Sequence, residues 1–150
     1  MILPRDYFDR PTLDVARSLV GKYLVREKSG GLISGRIIEV EAYIGQEDKA
    51  CHASKGRTAR TDVLFGPPGH AYVYLCYGMY EMLNVVTEQE GFPAAILLRA
   101  VECEDRLIDG PGRLTRAFDI DRRLNRFDLT LGQSLWFEDR GEVISTGVLN

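Results

Sequence analysis

Apolar and polar positions along the chain change period several times, and each change marks an element. In Arg10-Pro-Thr-Leu-Asp-Val-Ala-Arg-Ser-Leu-Val-Gly21, Leu13, Ala16, Leu19 and Val20 recur at helical spacing. Pro11 sits where a helix starts and Gly21 where one stops. The pattern then shortens to two. Lys22 to Glu27 and Ile33 to Tyr43 read as strands joined by the turn Ser29-Gly30-Gly31, a hairpin. From Ile44 to Pro68 no period persists, and long aperiodic stretches inside compact domains are usually functional. Ala71 to Tyr77, Leu83 to Thr87 and Ala94 to Val101 are rich in branched and aromatic residues and read as strands, with Gly91-Phe-Pro93 as the turn between the last two. Gly110-Pro-Gly112 leads a short amphipathic helix, Arg113 to Phe118. Strands are expected again at Leu135 to Glu138 and Glu142 to Thr146. Short connections between adjacent strands favour antiparallel pairing. The expected fold is therefore α+β: a single domain over residues 1–150, with a curled antiparallel sheet, or partial barrel, and a few flanking helices.

Composition narrows the class without changing that picture. The 150 residues are 45% hydrophobic and 27% charged, which suits a folded globular chain rather than a disordered one. No apolar run approaches the length of a membrane span, and Met1-Ile-Leu-Pro-Arg-Asp-Tyr-Phe8 lacks the core of a signal peptide. An intracellular protein with no membrane partner is expected. Cys51, Cys76 and Cys103 are scattered and odd in number, which reads as free thiols in a reducing compartment. With only His52 and His70 to join them, zinc-ligand spacing is missing, so no metal is expected.

The net charge of -3 argues against a uniformly basic nucleic-acid binder. Its distribution reopens the question. Lys55, Arg57 and Arg60 share one short loop without an acid among them, and Arg113, Arg116, Arg122, Arg123 and Arg126 meet only Asp119 and Asp121 nearby. Cations concentrated on one face bind phosphates even on an acidic protein, whereas scattered solvated arginines would not.

The strand that carries Ile37-Ile-Glu-Val-Glu-Ala-Tyr43 holds the first candidate chemistry. Strict alternation puts Glu39, Glu41 and Tyr43 on one face and Ile38, Val40 and Ala42 on the other, with the apolar face toward the core. A plain amphipathic strand would leave both glutamates solvated. Against that stands the long loop bearing His52 and the cations, which follows them directly. Tyr72, Tyr74, Tyr77 and Tyr80 are unusually dense: core tyrosines on one reading, walls of a pocket for a flat ring on another. Arg99, at the end of the apolar run from Ala94, is either an exposed strand end or a buried partner for a carboxylate such as Glu41. Asn84, between Leu83 and Val85, is a structural amide or a pocket group.

The stretches Gly35-Arg-Ile-Ile-Glu-Val-Glu-Ala-Tyr-Ile-Gly45, Asp48-Lys-Ala-Cys-His52, Tyr72-Val-Tyr-Leu-Cys-Tyr-Gly-Met-Tyr80, Leu83-Asn-Val-Val86, Leu97-Leu-Arg-Ala100 and Gly110-Pro-Gly-Arg-Leu114 resemble, in this order, the alkyladenine (3-methyladenine) DNA glycosylase family. The resemblance runs from about Tyr7 to Phe137. It implies a monofunctional glycosylase that flips alkylated or deaminated purines out of duplex DNA and hydrolyses the N-glycosidic bond, leaving an abasic site. By the same resemblance Glu41 activates the attacking water and Arg99 helps position it. The base stacks between Tyr43 and Tyr74, with His52 and Asn84 in the pocket, and Asn84 rejects guanine's amine. Tyr77 is the intercalating wedge. Lys55, Arg57, Arg60 and Arg113 are candidate contacts to the DNA backbone. No cofactor is implied, and double-stranded DNA carrying damaged purines is the expected partner of a monomer located with DNA. Glu39 keeps a structural or solvated role. Two departures stand out: the connection from Glu102 to Gly110 is shorter than the family's helix-bearing segment, and Asn150 precedes the family's Gly-rich carboxy-terminal segment. They raise a rival from another class, a damaged-DNA binding module with little turnover. A hydrolase of free nucleosides would leave Tyr77 and the basic loop without a purpose.

Overall fold

The structure, a computed structural model, describes residues 1–45 and 56–141 and the backbone of 148–149. His52, Lys55, Cys51 and the strand expected over Glu142 to Thr146 lie outside the described residues. In chain order the elements are α1 (Arg5–Phe8), α2 (Thr12–Leu19), β1 (Tyr23–Lys28), β2 (Gly31–Ile44), a 3-10 turn (Asp62–Phe65), β3 (Ala71–Cys76) and β4 (Tyr80–Val86). They continue with β5 (Ala94–Cys103), β6 (Arg106–Asp109), α3 (Pro111–Ala117), a second 3-10 turn (Arg122–Leu124), β7 (Leu135–Glu138) and β8 (Val148–Leu149).

The strands form one curled, open half-barrel with the order β3-β4-β5-β2-β1-β7; β6 pairs with β5 and β8 with β2. All pairings are antiparallel except that of β8, whose Val148 and Leu149 lie parallel to Glu39 and Val40. One side of the sheet holds the main core, where Ile37, Val40, Val73, Leu83, Val85, Ile96 and Leu98 meet Val15, Ala16 and Leu19 of α2 and Leu114 of α3. Burying such side chains, each worth about 1.5–3 kcal/mol, is what holds sheet and helices together.

Three departures from the sequence expectations have local causes. Leu13 is 42% exposed and Val15 takes its place in the core. The helix is rotated so that its first turn faces Glu88, whose Oε2 accepts the Thr12 N–H at 3.0 Å and also the Thr12 hydroxyl. A carboxylate from the β4–β5 loop thus satisfies an amide N–H that the helix cannot bond itself. Secondly, Ile38 does not belong with the core; Ile37 and Val40 do, because β2 is bulged between them. One extra residue shifts the alternation by one and moves a side chain to the other face. Thirdly, the stretch from Glu102 to Gly110 is a hairpin rather than a bare connection. Cys103 pairs with Arg106 across Glu104 and Asp105, both at positive φ (47° and 67°). That two-residue turn usually carries Asn-Gly or Asp-Gly, so Glu-Asp gives little warning of it.

Candidate active site

The side of the sheet opposite the main core carries the site, and strand register builds it. Tyr72 on β3 lies opposite Asn84 on β4, Asn84 opposite Leu97 on β5, and Leu97 opposite Glu41 on β2. Cross-strand partners share a face, so these four residues form one row. The neighbouring row reads Val86, Ala95, Tyr43, and Tyr74 stands two residues beyond Tyr72. Neighbouring strands lie about 4.8 Å apart, so the backbones at Glu41 and Asn84, two strands apart, are separated by about 10 Å. Leu97 and the small Ala95 are the floor between them. Tyr43 and Tyr74 both pack on a second apolar cluster made by Tyr72, Val86, Ala95 and, from the first 3-10 turn, Val63, Leu64 and Phe65. The returning loop before β3 is thus the third wall.

Polar groups on this face are few and held. Asn84 is 2% exposed, and its side-chain amide donates to the Tyr72 carbonyl at 3.2 Å. That bond fixes which way the amide turns. Arg99 donates from Nε to Glu39 Oε1 at 3.3 Å and from Nη1 to Glu41 Oε2 at 3.5 Å. The side chains of Glu39 and Glu41 are only 22% and 26% exposed, so neither is the solvated carboxylate of a plain amphipathic strand. Glu39 is the functional candidate that sequence reasoning passed over; its signal was the shared strand face, and what was missing was Arg99 as a common partner. Burial, reinforced by the negative charges of Cys76, Tyr72 and Glu41 when ionised, raises the Tyr74 phenol to about 12 against a weaker opposing pull from Arg60. Tyr74 is therefore a neutral ring at working pH.

The β3–β4 hairpin runs beyond the sheet, backed by α3. Thr115 donates to the Glu81 carbonyl at 2.8 Å, and Gly112 lies so close to the Tyr80 ring that an added Cβ would come within 2.7 Å of it. At the tip the Met79 N–H returns to the Cys76 carbonyl at 3.2 Å around Tyr77 and Gly78, whose φ values are 53° and 69°. Tyr77 is 90% exposed. An aromatic side chain displayed to solvent from a left-handed residue is doubly costly, by about 1–3 kcal/mol for the backbone alone, and such strain gathers at functional sites. Met79 and Tyr80 are exposed beside it.

Among the candidate DNA contacts, Arg60 is exposed with its guanidinium 5.4 Å from the centre of the Tyr74 ring. Arg113 is exposed on α3 and donates to the Asp109 carbonyl at 3.3 Å. Arg57 is bound to Asp62 at 2.5 Å, and Arg126 reaches the same carboxylate at 3.4 Å. The Arg57 hydrogen bond is the main cause holding the Asp62 carboxyl below its usual range. Asp62 is thus an acid that the local sequence around Arg57 and Arg60 does not bring to notice. Arg122, at 3.3 Å from Glu81, lies under the same hairpin. Of the residues singled out in sequence, the fold brings Glu41, Tyr43, Tyr74, Asn84 and Arg99 to one face, with Arg60 over it and Tyr77 projecting at one end.

Residues 6–148 match the family described as methylpurine-DNA glycosylase (MPG). A protein of Methanocella arvoryzae is 53% identical over 92% of this chain and 77% of its own length. One of Legionella pneumophila strain Corby is 55% identical over 85% of this chain and 71% of its own. A third, from Wolbachia of Brugia malayi, is 51% identical over 87% and 76%. All three carry the provisional name 3-methyladenine DNA glycosylase. Such identity along nearly the whole matched span, together with the family match, means that the chain belongs to the methylpurine-DNA glycosylase family.

Proposed function

We propose that this DNA repair glycosylase extrudes an alkylated or deaminated purine from duplex DNA, seats it between Tyr43 and Tyr74, and cleaves its N-glycosidic bond with a water activated by Glu41. The observation that carries the reading is the row Glu41, Leu97, Asn84, Tyr72. It sets a carboxylate and an amide at the two ends of an apolar floor about as wide as a purine, between two tyrosines. Extrusion costs roughly a few kcal/mol, least for a damaged or mispaired base. Tyr77, projecting from its hairpin, offsets part of that cost by filling the gap in the stack.

In the reaction, the water oxygen forms its bond to C1′ while the C1′–N bond breaks, and the bonding electron pair leaves with the base. The water's proton passes to Glu41. An alkylated purine already carries positive charge, which the departing pair neutralises, so it needs no acid to leave; a neutral deaminated purine leaves as an anion and takes its proton from solvent. A carboxylate here deprotonates water and also stabilises the cation developing on the sugar; a positioned general base contributes about 10² to 10⁴-fold. Arg99, bonded to Glu41, helps position the water. Asn84, with its amide orientation fixed by the Tyr72 carbonyl, excludes the exocyclic amine of guanine. Arg60 and Arg113 contact backbone phosphates; Arg57 joins them only by loosening its bond to Asp62. His52 and Lys55 complete the pocket and the phosphate contacts. One chain supplies wedge, pocket and carboxylate, so the enzyme acts as a monomer, inside the cell where its DNA lies.

The test is release of free base from duplexes containing hypoxanthine, ethenoadenine or 3-methyladenine. The parent chain excises at least one of them, and Glu41→Gln binds the duplex without excising. Excision by Glu41→Gln at the parent's rate would sink the mechanism, and binding without excision by the parent would select the rival binding module.

A further inference from the structure

Arg99 interrupts the otherwise apolar run Ala94 to Val101, and the sheet gives it an unusual place. Strands β2 and β5 are in register from Ile44 opposite Ala94 to Val40 opposite Leu98, and again from Ile37 opposite Val101 to Arg36 opposite Glu102. Between those blocks Glu39 stands opposite Ala100, so Ile38 is extra on β2 and Arg99 is extra on β5. The two insertions oppose one another and cancel, which is why the strands pair again beyond them. Each still bends its strand locally and re-aims side chains, the usual effect of a bulge beside a functional site. The backbone of the second bulge is not left unpaired. The Arg99 carbonyl accepts the Gly110 N–H at 2.8 Å, and Gly110 has φ 120°, a conformation that favours glycine.

The side chains at this double bulge form a cluster of three. Arg99 reaches Glu39 through Nε and Glu41 through Nη1, and its own side chain is 34% exposed. Using different nitrogens for the two acids matters. A guanidinium is a rigid planar fork on a long, flexible stem. One partner leaves that fork free to pivot, whereas two partners at separate nitrogens define its plane. Glu39 is itself anchored: its backbone is paired with Ala100 on one side and with Val148 of β8 on the other. Charge points the same way. Two carboxylates around one guanidinium leave that cluster with one net negative charge, beside the place where the sugar becomes cationic. Arg99 paired with Glu41 alone would neutralise it.

We infer that Glu39 is a positioning residue for excision: it holds the Nε side of Arg99 so that Nη1 faces Glu41 and the water Glu41 activates. The inference rests on the reading of Glu41 as the water-activating group. It departs from the expectation that Glu39 is a bystander, and it explains why the strand carries a second glutamate on the same face.

The test is single-turnover excision from a lesion duplex by the full chain, with binding to an abasic-site duplex measured separately. Glu39→Gln is expected to slow the chemical step about tenfold, the equivalent of one partly screened charge interaction, without weakening duplex binding. Glu39→Asp recovers part of the rate, because the charge is kept. Placed on Arg99→Ala, the Glu39→Gln change costs nothing further, since the group it positions is gone. A parent rate for Glu39→Gln, or losses that multiply in the double variant, overturns the assignment. If glutamine at 39 unfolds the double bulge, the same cycle run with Glu39→Asp decides, because its smaller loss must likewise vanish on Arg99→Ala. Glu41→Gln, run alongside, separates the two failures. Undiminished excision by that variant removes the water-activation reading, while an inert Glu41→Gln beside an unaffected Glu39→Gln removes only the role of Glu39.

Discussion

Both sides of the sheet are built from the same strands, often from adjacent residues, yet they are used differently. On one side Ile96, Leu98, Val85 and Val73 pack with the helices in the main core. On the other their sequence neighbours Ala95, Leu97 and Asn84 are also buried, but beside them stand the half-buried Tyr74 and a cluster of charge. The core side spends its residues on close packing, where a polar atom without a partner is costly. The site side keeps Glu39, Glu41 and Arg99 half-buried, where charges act on one another more strongly than in water but remain reachable by substrate. One sheet thus separates stability from chemistry by the alternation of its side chains, adjusted where the two bulges oppose each other.

Substitutions on the two faces should dissociate. The largest effect belongs to Glu41→Gln, expected to lower single-turnover excision by about 10² to 10⁴-fold while urea unfolding of the apo chain changes little. A large loss of stability in that variant would mean that the two faces are energetically one. Next is Ile96→Ala, between Ala95 and Leu97 but on the core side. It should cost about 2–5 kcal/mol of stability and leave the excision rate of the folded fraction close to the parent's, as read by denaturant titration and single-turnover assay. Smaller is Tyr77→Ala, which removes a wedge that packs on nothing in the sheet. Excision from duplex should fall roughly 10- to 100-fold, matching a stacking interaction of about 1–3 kcal/mol, with little loss from single strands. Tyr77→Gly should lose as much activity while stability holds or rises by up to about 1 kcal/mol, because glycine relieves the left-handed backbone.

The smallest effect is a titration. Burial raises the Tyr74 phenol to about 12, above the value of about 10 expected in an unfolded chain. A raised acid is protonated in the folded state where the unfolded chain has begun to ionise. The stability that difference represents is therefore complete below about pH 10 and is lost as pH rises toward 12. Ultraviolet difference titration of the parent against Tyr74→Phe should show one tyrosine missing from the highest-pH transition. A missing tyrosine at ordinary pH would show instead that Tyr74 is solvated.

How much of this was legible beforehand varies by element. Ile33 to Tyr43 read correctly as a strand, and Glu41 and Tyr43 fell on one face, because side-chain direction in a strand has a fixed period. Ile38 was assigned to the wrong side because period alone contains no bulge; the insertion appears only when the partner strand is in place. Leu13 was misjudged for a related reason: helical spacing defines a stripe, but which part of it is buried depends on Glu88, seventy-odd residues away in the chain. Ala71 to Tyr77 read as a strand to its last residue, but β3 ends at Cys76 and Tyr77, left-handed, projects from the hairpin tip. That Asp62 pairs with Arg57 only the folded chain shows.

By itself the sequence determined most of the elements, the antiparallel α+β architecture and, through motifs in a particular order, the family. These are properties of local period, turn chemistry and identity, all carried within short stretches. The tertiary structure decided which residues share an environment: that Glu41 and Asn84 face each other across Leu97, and that Arg99 serves two carboxylates at opposed bulges. Register and bulges are set by the fit of whole strands to a common core. No single strand contains that information, because each bulge exists only relative to the strand it is paired with.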